Sequence, residues 1–267
     1  MSELIKIALF QYSPEWENKE ANMEKIRKQL ESLTEPVDLI VFPEMSLTGF
    51  SMETAKLAEY VDGQTFNFFA SIAKEFETNV VAGIVEKGKK KYFNTLMFIN
   101  REGVLEDKYR KIHPFTFGEE SKHYAGGFAY INHYAEDFHI GFSICYDLRF
   151  PELFRFMALD KVEILVNIAN WPEARIDHYK TLCKARAIEN QCYFVAVNRT
   201  GSDPKLNYTG NSSVFGPMGE ELIMMGSEEG IGITEIDLEH LQGVREKFPF
   251  LDDIKLISIE EDEDEDQ

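Results

Sequence analysis

Three reactive side chains stand where buried strands are predicted to end. Residues 38–42 form a short apolar run that is followed by Pro43 and Glu44, so a carboxylate comes directly after a core strand. Residues 138–144 lead in the same way to Cys145, just before a predicted helix. A third predicted strand leads into residues 107–113 (DKYRKIH), which contain two lysines. Because functional groups in α/β sheets gather at the carboxyl ends of strands, we expect these side chains to lie close together.

A glutamate, a lysine and a cysteine that converge could transfer an acyl group from an amide. The carboxylate would take the thiol proton as general base, and the sulfur would attack the carbonyl carbon. The lysine ammonium and the backbone N–H of Tyr146 could stabilise the developing oxyanion, and water would then cleave the thioester. Each signal alone is weak, because solvated glutamates, surface lysines and packed cysteines are common. Composition and periodicity indicate only an α/β protein with a candidate thiol site.

Strand and helix patterns alternate along the chain. Predicted strands cover residues 4–10, 38–42, 79–85, 138–145, 162–169 and 192–198, and predicted helices cover 18–33, 66–76, 151–159 and 176–190. Hairpins are predicted within 92–110 and 213–225, with turns at 101–103 and 216–219. No linker rich in Pro, Ser or Gly divides the chain, so we predict one α/β domain with mixed sheets.

The chain is acidic, with 28 Lys and Arg against 47 Asp and Glu in 267 residues and a formal net charge of −19. An acidic surface repels a phosphate backbone, which argues against a nucleic-acid binder. Seven of the acids lie in residues 260–266, which we predict to be part of a disordered tail; without them the balance is 28 against 40, or −12. No apolar run approaches the ~18 residues of a membrane span. Residues 5–10 are predicted to form a strand and not a secretory signal, so we expect a cytoplasmic protein.

Three sequence blocks resemble the signature blocks of the nitrilase superfamily, the carbon–nitrogen hydrolases. They are FPEMSLTGF (42–50), YRKIHPF (109–115) and CYDLRFPE (145–152), in the family's order and approximate spacing. NWPEAR (170–175), ARAIENQCYFVAVNRTG (185–201) and YTGNSSVFGPMGE (208–220) extend the resemblance to nearly all of residues 3–250. Within the superfamily, CYDLRFPELFR, NWPEAR and ARAIENQCY look most like bacterial omega-amidases and their amidase relatives.

The resemblance assigns roles to the three reactive residues. It implies that Glu44 is the general base, Lys111 the oxyanion-stabilising cation and Cys145 the nucleophile. The family often has a second glutamate near the lysine. Glu119 and Glu120 are both candidates, and the Glu–Ser pattern favours Glu120.

The resemblance also implies an architecture. We expect a four-layer α-β-β-α sandwich with two mixed sheets, formed as a single domain by residues 1–259, with a disordered acidic tail at 260–267. We expect neither a cofactor nor a metal. Members of the family commonly pair through the helices around the cysteine block, so a homodimer is expected, with residues 241–256 crossing between subunits.

Trp171 and Arg175 follow the predicted strand 162–169 at the expected mouth of the site. An aromatic wall and a guanidinium would suit a small substrate that carries a carboxylate. Alternatively, Arg175 begins the next helix or pairs with an acid. Phe117, Tyr124 and Asn170 are further wall candidates, and Arg149 is expected to pair with Glu152 behind the nucleophile.

The sequence therefore predicts a cysteine-dependent amidase that hydrolyses a small linear amide to a carboxylate and ammonia through a thioester. The preferred subclass is an omega-amidase acting on 2-oxo acid amides such as 2-oxoglutaramate and 2-oxosuccinamate. Another aliphatic amidase or an N-carbamoyl hydrolase on the same triad is the alternative. An inactive scaffold is least favoured, because Glu44, Lys111 and Cys145 are all present. The expected partner is a small-molecule amide, with no nucleic acid and no membrane.

Overall fold

The computed structural model describes residues 4–255. The predicted acidic tail at 260–267 and the last residue of the predicted crossing segment, 256, lie outside these residues. Within residues 4–255, no helix combines the length and the apolar character needed to cross a membrane.

Helices and strands alternate along the chain, as predicted. In the first half they are β1 (Leu4–Gln11), α1 (Lys19–Leu30), β2 (Leu39–Val41), α2 (Thr54–Leu57), α3 (Gln64–Phe76), β3 (Asn79–Lys87), β4 (Tyr92–Ile99), β5 (Leu105–Arg110) and α4 (Glu120–His123). In the second half they are β6 (Asn132–Tyr134), β7 (His139–Ile144), α5 (Pro151–Leu159), β8 (Ile164–Ala169), α6 (Ile176–Asn190), β9 (Tyr193–Asn198), β10 (Thr200–Ser202), β11 (Asn207–Thr209), β12 (Ser213–Phe215), β13 (Glu221–Met224), β14 (Gly230–Asp237) and α7 (Leu238–Lys247).

The strands form two six-stranded sheets, and both sheets are mixed. The first has the order β14-β1-β2-β3-β4-β5, in which β1, β2 and β3 are parallel and the other neighbours are antiparallel. The second has the order β13-β12-β9-β8-β7-β6, in which β7, β8 and β9 are parallel. β10 and β11 form a separate two-stranded hairpin.

The side chains of β1 point alternately to two different apolar cores, and this shows how the layers are stacked. Ile5, Ile7 and Leu9 belong to the apolar core that is shared with the second sheet, whereas Ala8 and Phe10 belong to the core shared with α1 and α3. Helices α5 and α6 contribute buried side chains to the core of the second sheet. The order of layers is therefore helices, first sheet, second sheet, helices, which confirms the predicted four-layer sandwich.

The structure also contains elements that the sequence patterns do not predict, above all β14 at the edge of the first sheet. This strand has glycines at positions 230 and 232 and is half-exposed along most of its length, so its period-2 pattern is weak. Its partner β1 is more than 200 residues away in the sequence. Only tertiary pairing makes residues 230–237 a strand.

Candidate active site

Both sheets contribute to one buried cluster of charged and reactive side chains. Glu44 follows β2 and Lys111 follows β5, both in the first sheet, while Cys145 follows β7 in the second. Glu44 and Lys111 are each 1% exposed and Cys145 is 9% exposed. Buried charges require partners, because desolvation without compensation is very costly.

Lys111 lies between two carboxylates. Its Nζ is 2.9 Å from Oε1 of Glu44 and 2.8 Å from Oε2 of Glu120. Burial by itself would lower the pKa of Lys111, but the carboxylates of Glu120 and Glu44 raise it well above its usual value. Lys111 is therefore an ammonium ion at neutral pH.

The structure distinguishes between the two candidates for the second glutamate. Glu120 is fully buried and also accepts a hydrogen bond of 2.6 Å from the backbone N–H of Phe115. Glu119 is exposed and pairs with Lys122 on the surface. Glu120 is thus the glutamate that contacts Lys111.

Two asparagines complete the surroundings of Glu44. The side-chain nitrogen of Asn94, on β4, donates to Oε1 of Glu44 at 2.6 Å and to Oε1 of Glu120 at 2.8 Å, so it bridges the two carboxylates. The backbone N–H of Asn170 donates to Oε2 of Glu44 at 2.8 Å. The sequence suggested Asn170 only as a wall residue and did not point to Asn94, which lies inside an ordinary apolar strand pattern.

Cys145 occupies a strained turn between β7 and α5. Its φ of +46° is in the left-handed region, which costs a non-glycine residue about 1–2 kcal/mol. Burial raises the pKa of the Cys145 thiol well above its usual value, and Glu44 adds to this, whereas Lys111 and the backbone N–H of Asn170 act in the opposite direction. The sulfur is therefore a neutral thiol at neutral pH, and a base must take its proton when it attacks.

A cleft with about 400 Å³ of empty volume, its open mouth included, leads to the thiol. Its lining contains Cys145, Tyr146, Asn170, Trp171 and Arg175, as predicted, together with Phe50, Phe115, Arg149, Pro172, Leu206 and Tyr208. The other two wall candidates do not line it, because Phe117 is 87% exposed on the surface and the Tyr124 hydroxyl is buried against Ser51. The lining is mainly aromatic and apolar, with two guanidinium groups. Such a cleft suits a small molecule that carries a negative charge.

Arg149 differs from its predicted role. The expected ion pair with Glu152 does not form, since no salt bridge joins these two described residues. Instead the Arg149 guanidinium lies 4.8 Å from the ring centroid of Trp171 and contacts His178 Nδ1 at 3.3 Å. Trp171 is itself fixed by a hydrogen bond of 2.8 Å from its Nε1 to the carbonyl of Arg175. The residue order alone does not show that the turn after Cys145 directs Arg149 into the cleft.

Metal-ligand groups do not converge in the part of the chain described. Among residues 4–255, no group of three or more His, Cys, Asp or Glu side chains is placed to hold a metal ion. His113 and His133 each contact one aspartate, Asp147 and Asp107 respectively.

Two mixed six-stranded sheets between helix layers, with a carboxylate, an ammonium and a thiol buried beside a cleft, define a class of hydrolase. The sequence profile of the carbon-nitrogen hydrolase family matches residues 6–246. The chain therefore belongs to the carbon-nitrogen hydrolase family of the nitrilase superfamily. Within that family it is an amidase, an enzyme that hydrolyses linear amides.

Individual relatives agree with this assignment. A 2-oxoglutaramate amidase of Bacillus subtilis is 34% identical over 258 residues, which cover 93% of this chain and 97% of the relative. An omega-amidase of Escherichia coli is 32% identical and covers 92% of this chain, with 94% of its own length matched. Among solved structures, a CN-hydrolase superfamily protein of Xanthomonas campestris, with an arsenic adduct in its active site, superposes with a TM-score of 0.91 at 32% identity. The superposition covers 96% of this chain and 99% of that protein.

Proposed function

We propose that this amidase is an omega-amidase, which hydrolyses the terminal amide of a small 2-oxo acid amide such as 2-oxoglutaramate or 2-oxosuccinamate. One observation carries the proposal: Arg149 and Arg175 both line the cleft that leads to Cys145, and no described carboxylate lies within 4.0 Å of either. The protein has 19 more acids than bases, so unpaired guanidinium groups beside the nucleophile are notable. They fit a substrate that supplies its own carboxylate.

The names of two relatives support the same substrate class. The Bacillus subtilis relative is named for 2-oxoglutaramate and the Escherichia coli relative is named an omega-amidase. In our proposal the substrate carboxylate binds the guanidinium groups of Arg149 and Arg175, the Trp171 ring forms one wall, and the amide carbonyl reaches the sulfur of Cys145.

The arrangement of the buried groups supports a two-step reaction. Glu44 takes the thiol proton while the sulfur of Cys145 attacks the carbonyl carbon, and the oxyanion is stabilised by the Lys111 ammonium and the backbone N–H of Tyr146. When the C–N bond breaks, Glu44 returns the proton to the departing nitrogen and ammonia leaves a thioester on Cys145.

The same groups then hydrolyse the thioester, with water as the nucleophile and the sulfur of Cys145 as the leaving group. Glu44 takes a proton from water, the hydroxide attacks the thioester carbon, and the C–S bond breaks. The sulfur regains the proton from Glu44, and the acyl group departs as a carboxylic acid, which loses its remaining proton to solvent and becomes a carboxylate. Glu120 and Asn94 keep Lys111 and Glu44 in place during both steps, because they hydrogen-bond to them directly.

Steady-state release of ammonia tests the proposal with a panel of 2-oxoglutaramate, 2-oxosuccinamate, glutamine, a simple aliphatic amide and an N-carbamoyl amino acid. We expect the highest kcat/KM with one of the two 2-oxo acid amides. Turnover of the aliphatic amide without turnover of either 2-oxo acid amide would overturn the subclass. Release of carbon dioxide together with ammonia from the carbamoyl compound would identify the alternative hydrolase.

The Cys145→Ala variant tests the nucleophile separately. Its activity should fall below detection while its thermal unfolding temperature stays near that of the wild type, because Cys145 is a small side chain at the edge of the cleft. Activity close to the wild type would place the nucleophile elsewhere. No turnover of any amide by the folded wild type would favour the scaffold.

A further inference from the structure

A buried carboxylate lies two residues after the candidate nucleophile and contacts both sheets. Asp147 is 0% exposed. Its Oδ2 accepts a hydrogen bond of 2.9 Å from the backbone N–H of Ile144, so the contact spans the strained residue Cys145 within the second sheet's nucleophile turn. The same oxygen accepts a hydrogen bond of 2.7 Å from the hydroxyl of Tyr109, which is on β5 of the first sheet.

The second oxygen of Asp147 contacts the chain just after Lys111. Oδ1 accepts a hydrogen bond of 3.0 Å from the backbone N–H of His113 and lies 2.8 Å from Nδ1 of the same residue. The Tyr109 hydroxyl in turn accepts a hydrogen bond of 3.2 Å from the backbone N–H of Ile112. Asp147 is thus connected to residues on both sides of Lys111.

These contacts matter because Lys111 and Cys145 belong to different sheets. The sheets face one another through apolar side chains, and hydrophobic attraction is not directional, so it does not by itself fix the orientation of the polar groups beside the packed layers. An acyl-transfer site is much more demanding, since a misplacement of about 1 Å can lower the rate a hundredfold. Directional hydrogen bonds between the sheets can supply the missing precision.

We propose that Asp147 is a positioning residue that sets the placement of the Cys145 turn against Lys111, with Tyr109 and His113 as its partners in the first sheet. The inference rests on the roles proposed above for Lys111 and Cys145. It assigns Asp147 no contact with the substrate: Asp147 does not line the cleft.

The hydroxyl of Tyr109 is suited to donate a hydrogen bond to Asp147 at all pH values of interest, because it stays protonated. Burial raises the pKa of Tyr109 well above its usual value, and the neighbouring Asp147 carboxylate raises it further. The phenol therefore keeps its proton throughout the pH range in which an amidase works. A second buried tyrosine, Tyr179 on α6, provides a matched control, because its hydroxyl has no hydrogen-bond partner among the described residues.

The test compares Tyr109→Phe and Asp147→Asn with Tyr179→Phe. For each variant, kcat and KM are measured with the best amide of the panel, together with the pH dependence of alkylation of Cys145 by iodoacetamide, followed at that residue by peptide mass spectrometry. We expect Tyr109→Phe and Asp147→Asn to lower kcat about 10- to 100-fold with KM changed no more than about twofold. Since Lys111 lowers the pKa of the thiol, loss of its placement should move the alkylation profile to higher pH.

Tyr179→Phe should leave kcat and the alkylation profile unchanged. If Tyr109→Phe and Asp147→Asn lower only the unfolding temperature, and keep the wild-type kcat and alkylation profile, Asp147 is structural and the inference is wrong. Should Asp147→Asn fail to fold, Tyr109→Phe alone decides, because it removes one hydroxyl and keeps the ring. If instead the proposed roles of Lys111 and Cys145 are wrong, the Cys145→Ala variant will be active, and this outcome is distinguishable from a failure of the inference about Asp147.

Discussion

At the scale of single residues, the proposal assigns Arg149 and Arg175 to substrate binding and not to the chemical steps. Each lines the cleft, and each guanidinium lies near an aromatic ring, that of Trp171 at 4.8 Å and that of Phe115 at 5.5 Å. The aromatic contacts hold the guanidinium planes without neutralising their charge, so the charge is available to a ligand. Neither guanidinium group contacts Glu44 or Lys111, so the proposed mechanism gives neither a part in the proton transfers.

Substitution of either arginine should therefore change binding far more than turnover. We expect Arg149→Gln and Arg175→Gln each to raise KM for 2-oxoglutaramate about 10- to 100-fold, which is the loss of a charge-assisted hydrogen bond of about 1.5–3 kcal/mol. The KM for a neutral aliphatic amide should change little. Arg101→Gln, at a partly exposed surface ion pair with Asp137, is the matched control and should leave both constants unchanged. An equal rise in KM for the anionic and the neutral amide would contradict the assignment.

At the scale of elements, one buried carboxylate holds the strand that leads to Lys111. Glu86 on β3 is 3% exposed and accepts from Thr95 on β4 at 2.8 Å. On β5 it pairs with Lys108 at 2.6 Å and with Arg110 at 2.7 Å. β5 is the edge strand of the sheet, and these contacts attach it across β4 to β3. Burial alone would raise the pKa of Glu86, but Arg110, Lys108 and Thr95 outweigh it and lower this pKa to about 2.

Glu86→Gln should consequently destabilise the protein in a pH-dependent manner. Because the folded pKa is depressed, the stabilisation by Glu86 is fully present above the unfolded pKa near 4.5 and is lost as the pH falls toward about 2. In urea unfolding at pH 7, the free energy of unfolding of the variant should be about 2–3 kcal/mol lower than that of the wild type. At pH 3 the difference between the two free energies should be smaller. Glu221→Gln, on the exposed face of β13, is the control. A difference independent of pH would mean that the Glu86 charge is not what stabilises β5.

At the scale of the whole molecule, the formal charge of the chain and the charge of the side chains that line the cleft have opposite signs. The formal net charge is −19, yet the groups that face the cleft mouth are the guanidinium groups of Arg149 and Arg175. Exposed charges act over about 10 Å at 0.1 M salt, so distant acids on the surface contribute little to the potential inside the cleft. The acidic net charge is therefore compatible with the anionic substrate proposed above.

Helices α5 and α6 remain the expected dimer interface. Each leaves one large apolar side chain partly exposed, Phe156 at 37% and Ile188 at 45%. We expect sedimentation equilibrium to give twice the 30.8 kDa mass of the chain, and Ile188→Asp to shift the protein toward the mass of one chain, because it would bury a charge between the subunits. Phe128→Asp is the control, since Phe128 is 94% exposed on a loop outside these helices. A wild-type mass of one chain would rule out the dimer.

Much of the fold could be predicted because its signals are local. Every predicted strand and helix is present, with bounds that differ by a few residues, since apolar periodicity reports directly on which face is buried. Glu44, Lys111 and Cys145 each end a strand or follow one closely, and the surrounding blocks identify the family. Strand β14 was not predicted, because its alternation of buried and exposed residues is weak and its pairing with β1 is what makes it a strand.

The amino-acid sequence by itself determined the family, because its signature blocks are short stretches of chain, and the layered sandwich followed from the family. The roles of the three reactive side chains stay predictions. The tertiary structure alone decided that Glu120 and not Glu119 contacts Lys111, that Asn94 bridges two carboxylates, and that Arg149 faces the cleft. Asn94 is 50 residues from Glu44 in the sequence, and Asn170 is 126 residues from it. The packing of the folded chain brings these distant residues within hydrogen-bonding distance. A local sequence pattern carries no information about such contacts.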